Sequence, residues 1–282
     1  MEARYVNLYE HFGVPAPERA GGSLRCLITR TSHEVTPSRR RPGVLIIPGG
    51  GYAFNSEREA EPVALHFLAR GYVPFVLNYA CAPHIFPVAL RETAMAMRYI
   101  RENAEALEVD PGMVAAIGFS AGGHLCCCIG TMYDCPEVAD IAPAAVLRPD
   151  ALGLCYPVIV SSAPTHAGTI DNISGGDPQL RQRMSLETQV RPDMPPVFLW
   201  HTRDDDLVPC RNSLILAQAL EEKGVDFALH LYRHGWHGLS SVDHLVFPAH
   251  VTPGCSADVT GWLDACVRFW EETGFHITDQ EG

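Results

Sequence analysis

Short apolar runs alternate with helix-periodic stretches along most of the chain, and that alternation constrains the fold more than any other feature. GVLIIP (43–48) reads as a buried strand, and EPVALHFLARG (61–71) as an amphipathic helix closed by a glycine. YVPFVLNY (72–79) is a strand, VALRETAMAMRYIRENAEAL (88–107) a long helix, and MVAAIGF (113–119) a strand again. ALGLCYPVIV (151–160) and PPVFLWH (195–201) are further strands. A helix over 213–224, a strand VDFALHLY (225–232) and a helix over 257–274 follow. Strand, helix, strand in succession implies right-handed crossovers, hence a mostly parallel sheet with helices on both faces, the α/β class. Residues 1–35, with LRCLIT (24–29), are expected to supply an antiparallel edge. Periodicity fades over residues 161–194, between two strands and on the side of the serine turn discussed below, so this insertion is expected to act as a lid. No internal repeat or linker divides the chain, and one domain over 1–282 is the expectation.

Charge narrows the partners. The chain has 33 acidic residues against 21 lysines and arginines, a net charge of −12. Such a surface disfavours nucleic acid, anionic membranes and polyanionic substrates. No apolar stretch approaches bilayer-spanning length, and MEARYVNLYEHFGVP has no basic segment followed by an apolar run. A cytoplasmic location follows as an expectation. The ten cysteines include no CxxC pair, and Cys126, Cys127 and Cys128 fall together on a predicted helix. They read as reduced, buried thiols rather than a disulfide framework.

The chemistry centres on AAIGFSAGGHL (115–125), a buried strand running through a glycine-boxed serine into a helix over 121–129. Gly118-Phe119-Ser120-Ala121-Gly122 fits G-x-S-x-G in the strand-turn-helix context that the motif requires. Glycines on both sides let neighbouring backbone close in, which lifts the Ser120 hydroxyl off the sheet at the start of a helix. Serine is a weak nucleophile at neutral pH and needs a base and an acid that orients it. Downstream, the strand of VFLWHTRDDDLVP (197–209) runs into three acids, and LHLYRHGWHGLS (229–240) runs into a glycine loop with histidines. Acid and base thus arrive in the order Ser, Asp, His, each after a strand. Asp204, Asp205 and Asp206 are consecutive, so two of them belong to a solvated loop. His230 lies within a strand pattern, His234 opens the turn, and His237 sits between Trp236 and Gly238 on a loop suited to close approach; His237 is the favoured base. Helical spacing of these three histidines would suggest a metal, but the segment is a strand breaking into a turn. With no HExxH and no cysteine pair, no metal and no cofactor are expected.

Together, PGGGY (48–52), GFSAGGHL (118–125), HTRDDDLVP (201–209) and HGWHGL (234–239) resemble the α/β-hydrolase esterases of the acetyl-esterase and acetyl-xylan-esterase-like group, relatives of hormone-sensitive-lipase and prolyl-oligopeptidase-like hydrolases. The likeness runs from about Val44 to Trp270, and CYPVIVSS (155–162) and THAGTIDNISG (165–175) resemble that group's lid region. It implies the α/β-hydrolase fold and a Ser-His-Asp triad. The family's H-x-x-x-D-x-x-V-P pattern falls on His201, Asp205, Val208 and Pro209, which makes Asp205 the orienting acid and Asp204 its alternative. Its G-x-H-G element falls on His237, with His234 where a glutamate is frequent. The glycine run matches the HGGG-type motif with Pro48 in place of histidine, so Gly50 and Gly51 would form an oxyanion hole with Ala121. The implied substrate is a short-chain, acetyl-type ester on an oligosaccharide, cleaved by a cytoplasmic enzyme whose partners are that ester and, where protomers pair, a second copy in a homo-oligomer. Tyr52, Phe54, Phe119 and Trp236 are expected to wall a small acyl pocket. A peptidase of the prolyl-oligopeptidase type and a non-catalytic ligand-binding protein on the same fold are the rival readings.

Overall fold

The computed structural model describes residues 1–30, 32, 34, 39–248 and 254–279. Its main sheet is built from β1 (Glu2–Asn7), β2 (Ser23–Ile28), β3 (Arg39–Ile47), β4 (Val73–Asn78), β5 (Val109–Phe119), β6 (Ala151–Cys155), β7 (Val197–Thr202) and β8 (Phe227–Tyr232). Their spatial order is β1-β2-β4-β3-β5-β6-β7-β8. β1 and β2 form the expected antiparallel edge, and β4 through β8 are parallel to one another. Positions 31, 33 and 35 of the expected edge segment lie outside the described residues. A short β9 (Thr278–Asp279) pairs with the start of β3.

The continuous apolar runs have a direct cause: alternate residues of each central strand enter different layers. Leu45 and Ile47 of β3, Val114 and Ala116 of β5, and Val197 and Leu199 of β7 belong to one core. Val44 and Ile46, Ala115 and Ile117, and Phe198 and Trp200 belong to the other. A strand covered on both faces has no solvent side to keep polar. Onto the first layer pack α1 (Leu8–Phe12), and onto the second α2 (Glu61–Ala69). The first layer continues with α3 (Val88–Glu102), α4 (Ala104–Leu107), α5 (Ala121–Met132), α6 (Ala144–Leu147), α7 (Ala167–Ser174), α8 (Pro178–Arg183) and α9 (Arg211–Glu222). The second is completed by α10 (Trp262–Glu272), whose Trp262 and Trp270 are fully buried. The ten cysteines are free thiols, and Cys126, Cys127 and Cys128 are buried along α5, where burial raises their pKa. Among the described residues no helix is long and apolar enough to cross a membrane.

Three boundaries differ from the sequence expectation for identifiable reasons. The helix expected over 88–107 breaks at Asn103, whose side chain donates to the Tyr99 carbonyl at 2.9 Å and competes with the helical ladder. The strand expected over 151–160 ends at Cys155, because Tyr156 takes a left-handed φ of 38° and Pro157 follows it. The helix expected over 257–274 begins as a 3₁₀ turn, Ala257–Gly261, before α10.

One buried charge makes a testable mark on stability. Glu92 of α3 is fully buried, accepting from the Tyr9 hydroxyl at 2.9 Å and from the Ala80 amide. Burial pushes its carboxyl up to about 7, against the opposing pull of those donors. A folded-state pKa above the unfolded value of 4.5 means that the native chain holds the proton more tightly. The contribution is therefore intact below pH 4.5 and is lost as pH rises through about 7, a loss on the order of 3 kcal/mol. His124, wholly buried and pushed down to about 4 by burial, works with the opposite sign. Comparing wild type with Glu92→Gln by urea unfolding isolates the first term. The variant's stability relative to wild type should rise between pH 5 and pH 8, and parallel profiles would contradict the assignment.

Candidate active site

The site lies at the C-terminal ends of the parallel strands, where loops after β3, β5, β7 and β8 converge. Ser120 occupies the turn between β5 and α5 with φ 53° and ψ −116°, a conformation that a residue with a side chain adopts only under constraint. The flanking glycines supply that constraint. A Cβ on Gly118 would stand 2.1 Å from the Gly122 carbonyl oxygen, and one on Gly122 would stand 2.1 Å from that of Ile47. Backbone fills the space on both sides, so only glycine fits. The Ser120 carbonyl accepts from the His124 amide at 3.0 Å and the Val158 amide at 3.2 Å, which ties the elbow to α5 and to the loop after β6.

The hydroxyl of Ser120 donates to Nε2 of His237 at 2.8 Å, and Nδ1–H of His237 donates to Oδ2 of Asp205 at 2.7 Å. Three residues expected from distant parts of the chain therefore meet. The Asp205 side chain is fully buried, and its other oxygen accepts from the amides of Leu207 at 3.0 Å and Val208 at 2.9 Å. Burial acts to raise its pKa, but hydrogen bonding to His201 and His237 outweighs that and holds the carboxyl well below the usual range. An acid so held stays ionised throughout the neutral range and can stabilise an imidazolium beside it.

Asp204, the alternative acid, has a different task. Its two oxygens accept from Nδ1 of His234 at 2.9 Å and from the Gly235 amide at 2.8 Å. It anchors the base of the histidine loop from outside, and the Thr202 hydroxyl ties the same loop by donating to the Gly235 carbonyl at 2.8 Å. His230 stays in β8 with its ring against Phe198 and Tyr232, as its strand pattern implies.

A cavity of about 330 Å³ opens over Ser120 and His237. Gly50 and Gly51 form part of its wall. Gly50 has φ 120°, and a Cβ there would lie 2.0 Å from the Phe54 carbonyl oxygen, so the loop requires a bare backbone. Among the described residues the amides of Gly50 and Gly51 donate to no protein acceptor, and the Ala121 amide opens α5 beside Ser120. Glu59 braces this loop from beneath: Oε2 accepts from the Gly49 amide at 2.8 Å, and Oε1 from the Tyr156 hydroxyl at 2.7 Å. Tyr156 in turn accepts from the Ser240 amide at 3.0 Å and lays its ring edge-on to His237. Glu59 and Tyr156, 97 positions apart, thus join the glycine loop to the histidine loop.

The aromatic wall differs from the expectation. Tyr52 is buried at 1% exposure, its hydroxyl hydrogen-bonded to Nδ1 of His124 at 2.9 Å, and it does not line the cavity. Phe119 is fully buried beneath the elbow against Tyr156 and Trp262. The strand's alternation sends residue 119 into the core when 120 is lifted out. Trp236 turns away to pack edge-on against Phe247. Of the four aromatics expected there only Phe54 lines the cavity, joined by Leu207, both exposed, while the 161–194 segment contributes His166 and Asn172. Asn172 donates to the Gly51 carbonyl at 2.8 Å, so this segment touches the glycine loop directly. Arg58, His166 and Asn172 were not singled out from sequence, because nothing in their local pattern marks them as facing a cavity.

A serine elbow, an acid and a histidine in that chain order, on a mostly parallel sheet, define an α/β-hydrolase. A model of the prolyl oligopeptidase family matches residues 91–250, and a model named BD-FAE matches 33–143. The chain is 37% identical over 212 residues to endo-1,4-beta-xylanase B of Butyrivibrio fibrisolvens, an alignment covering 71% of this chain and 33% of that protein. It is 31% identical over 210 residues to an acetylxylan esterase of Xylanibacter ruminicola, covering 72% of this chain and 41% of the other. The chain thus spans between a third and about two fifths of the length of these curated relatives. Among solved structures, an acetyl ester-xyloside bifunctional hydrolase from Caldicellulosiruptor lactoaceticus superposes with a TM-score of 0.81 at 33% identity, covering 96% of this chain and 97% of that one. The chain belongs to the α/β-hydrolase esterase family, a family of carboxylic ester hydrolases.

Proposed function

We propose that this chain is a serine carboxylesterase that removes short acyl groups, chiefly acetyl, from carbohydrate esters. One observation carries the reading: the hydrogen-bonded line from Ser120 through His237 to Asp205, opening into a single cavity. Ser120 Oγ attacks the ester carbonyl while His237 takes its proton, and Asp205 holds the imidazole and stabilises its charge. The developing oxyanion rests on the amides of Ala121 and Gly50 or Gly51. His237 then gives its proton to the departing alcohol, and water, activated by the same imidazole, releases the acid from the acyl-enzyme. One α/β-hydrolase domain over 1–282 carries the site, with 161–194 as a lid-like insertion. The small cavity favours a small acyl group, and the named activities of the acetylxylan esterase and the acetyl ester-xyloside hydrolase support a sugar alcohol.

The test is acetate release from acetylated xylo-oligosaccharides, run beside 4-nitrophenyl esters of increasing acyl length and a panel of peptide amides. Acetyl esters should be the best substrates, with octanoyl esters slower by at least about tenfold, the scale on which a pocket discriminates by a few methylenes. A rate maximum at octanoyl would overturn the short-acyl assignment. Cleavage of amides in preference to esters would favour the peptidase reading.

A further inference from the structure

Among the described residues His166 is the one imidazole of the cavity wall that the proposed mechanism does not use. It precedes α7, half-buried, with its ring close to the glycine loop: a Cβ on Gly51 would stand 3.7 Å from its Cε1. The ring is held by Thr169, which is fully buried. The Thr169 hydroxyl lies 2.8 Å from Nδ1, and the Thr169 amide, shared with the His166 carbonyl at 3.1 Å, also donates to that nitrogen at 3.3 Å. An amide N–H can only donate, so Nδ1 is an acceptor and the hydrogen of the neutral ring sits on Nε2. Burial, reinforced by the charge of His237, lowers the pKa of His166 and keeps it in that neutral form. Nε2–H has no protein acceptor among the described residues, and a substrate entering the cavity would strip water from it.

Which substrate atom answers this donor follows from counting acceptors. The carbonyl oxygen of an acyl group is already served by the amides of the glycine loop and Ala121, and an acetyl methyl accepts nothing. Asn172, the neighbouring donor on α7, is engaged with the Gly51 carbonyl. Unmatched acceptors remain only in the alcohol half of the ester. We propose that His166 is a specificity-determining residue that donates from Nε2 to a hydroxyl or ring oxygen of the leaving alcohol, so that the site reads a polyhydroxylated alcohol, with Thr169 positioning the ring. This deepens the esterase reading above and rests on it.

The experiment compares wild type, His166→Phe and His166→Gln on an acetylated xylo-oligosaccharide and on 4-nitrophenyl acetate, whose leaving group has no sugar oxygen. His166→Phe keeps a ring without a donor, and should lower kcat/KM for the oligosaccharide by roughly ten- to a hundredfold, the effect of one hydrogen bond lost to a buried partner. Its kcat/KM for 4-nitrophenyl acetate should fall by much less, so that the ratio of the two values shifts by about tenfold or more. His166→Gln, with an amide N–H of similar reach, should recover part of the oligosaccharide rate. Equal losses on both substrates, or no loss on the oligosaccharide, overturn the role of His166 while leaving the esterase reading intact. A wild type active only on the aryl acetate also overturns it. A wild type inactive on both substrates sinks the esterase reading, and this inference with it.

Discussion

Replacing Ser120 by alanine is expected to lower kcat for acetyl-ester hydrolysis by roughly four to six orders of magnitude, the scale at which a triad stops working as a unit. The fold should survive the change. Among the described residues Oγ bonds only to His237 across the cavity, whereas the elbow itself is held by backbone bonds from Ser120 to Cys155, His124 and Val158. The left-handed conformation at 120 persists because Gly118 and Gly122 leave the backbone no alternative. Steady-state hydrolysis of 4-nitrophenyl acetate, with circular dichroism on the same sample, checks both halves. A folded variant that keeps more than about a tenth of the wild-type rate would remove Ser120 from the chemistry.

The second large effect separates two adjacent aspartates. Asp205→Asn should reduce kcat by about ten-thousandfold, because the amide cannot stabilise the imidazolium and can hold His237 in the wrong tautomer. Asp204→Asn should leave kcat within about tenfold, since that carboxylate only pins the histidine loop from its exposed side through His234 and the Gly235 amide. Measured side by side, a loss at Asp204 equal to or greater than that at Asp205 would reverse the roles assigned here.

What could be read from sequence, and what could not, divides by the range of the physics involved. The strands of the parallel sheet were legible because burial on two faces leaves an uninterrupted apolar run, as in Val44–Ile47. The meeting of Ser120, Asp205 and His237 was foreseeable because each follows a strand on the same side of the sheet. The choice among three consecutive aspartates came from the family pattern, and the structure puts Asp205 against His237 while Asp204 faces His234. Aromatic orientation was not legible. Tyr52 and Phe119 flank the site in sequence, yet the direction of each side chain depends on partners elsewhere in the chain, His124 for one and Trp262 for the other. Glu59 lay outside any motif, and His166, within THAGTIDNISG, carried no local signal of a role in the cavity. Glu59 is buried in spite of its charge, and only contact with Gly49 and Tyr156 explains why.

The Ser120 hydroxyl, through its line to His237 and Asp205, is the proposed nucleophile. Labelling with a fluorophosphonate followed by peptide mass mapping tests it most directly. One adduct per chain is expected, on the peptide carrying Ser120, absent in Ser120→Ala and slowed greatly in Asp205→Asn. Rapid stoichiometric labelling of a different residue, or full ester hydrolysis by a chain whose Ser120 resists the reagent, would contradict it.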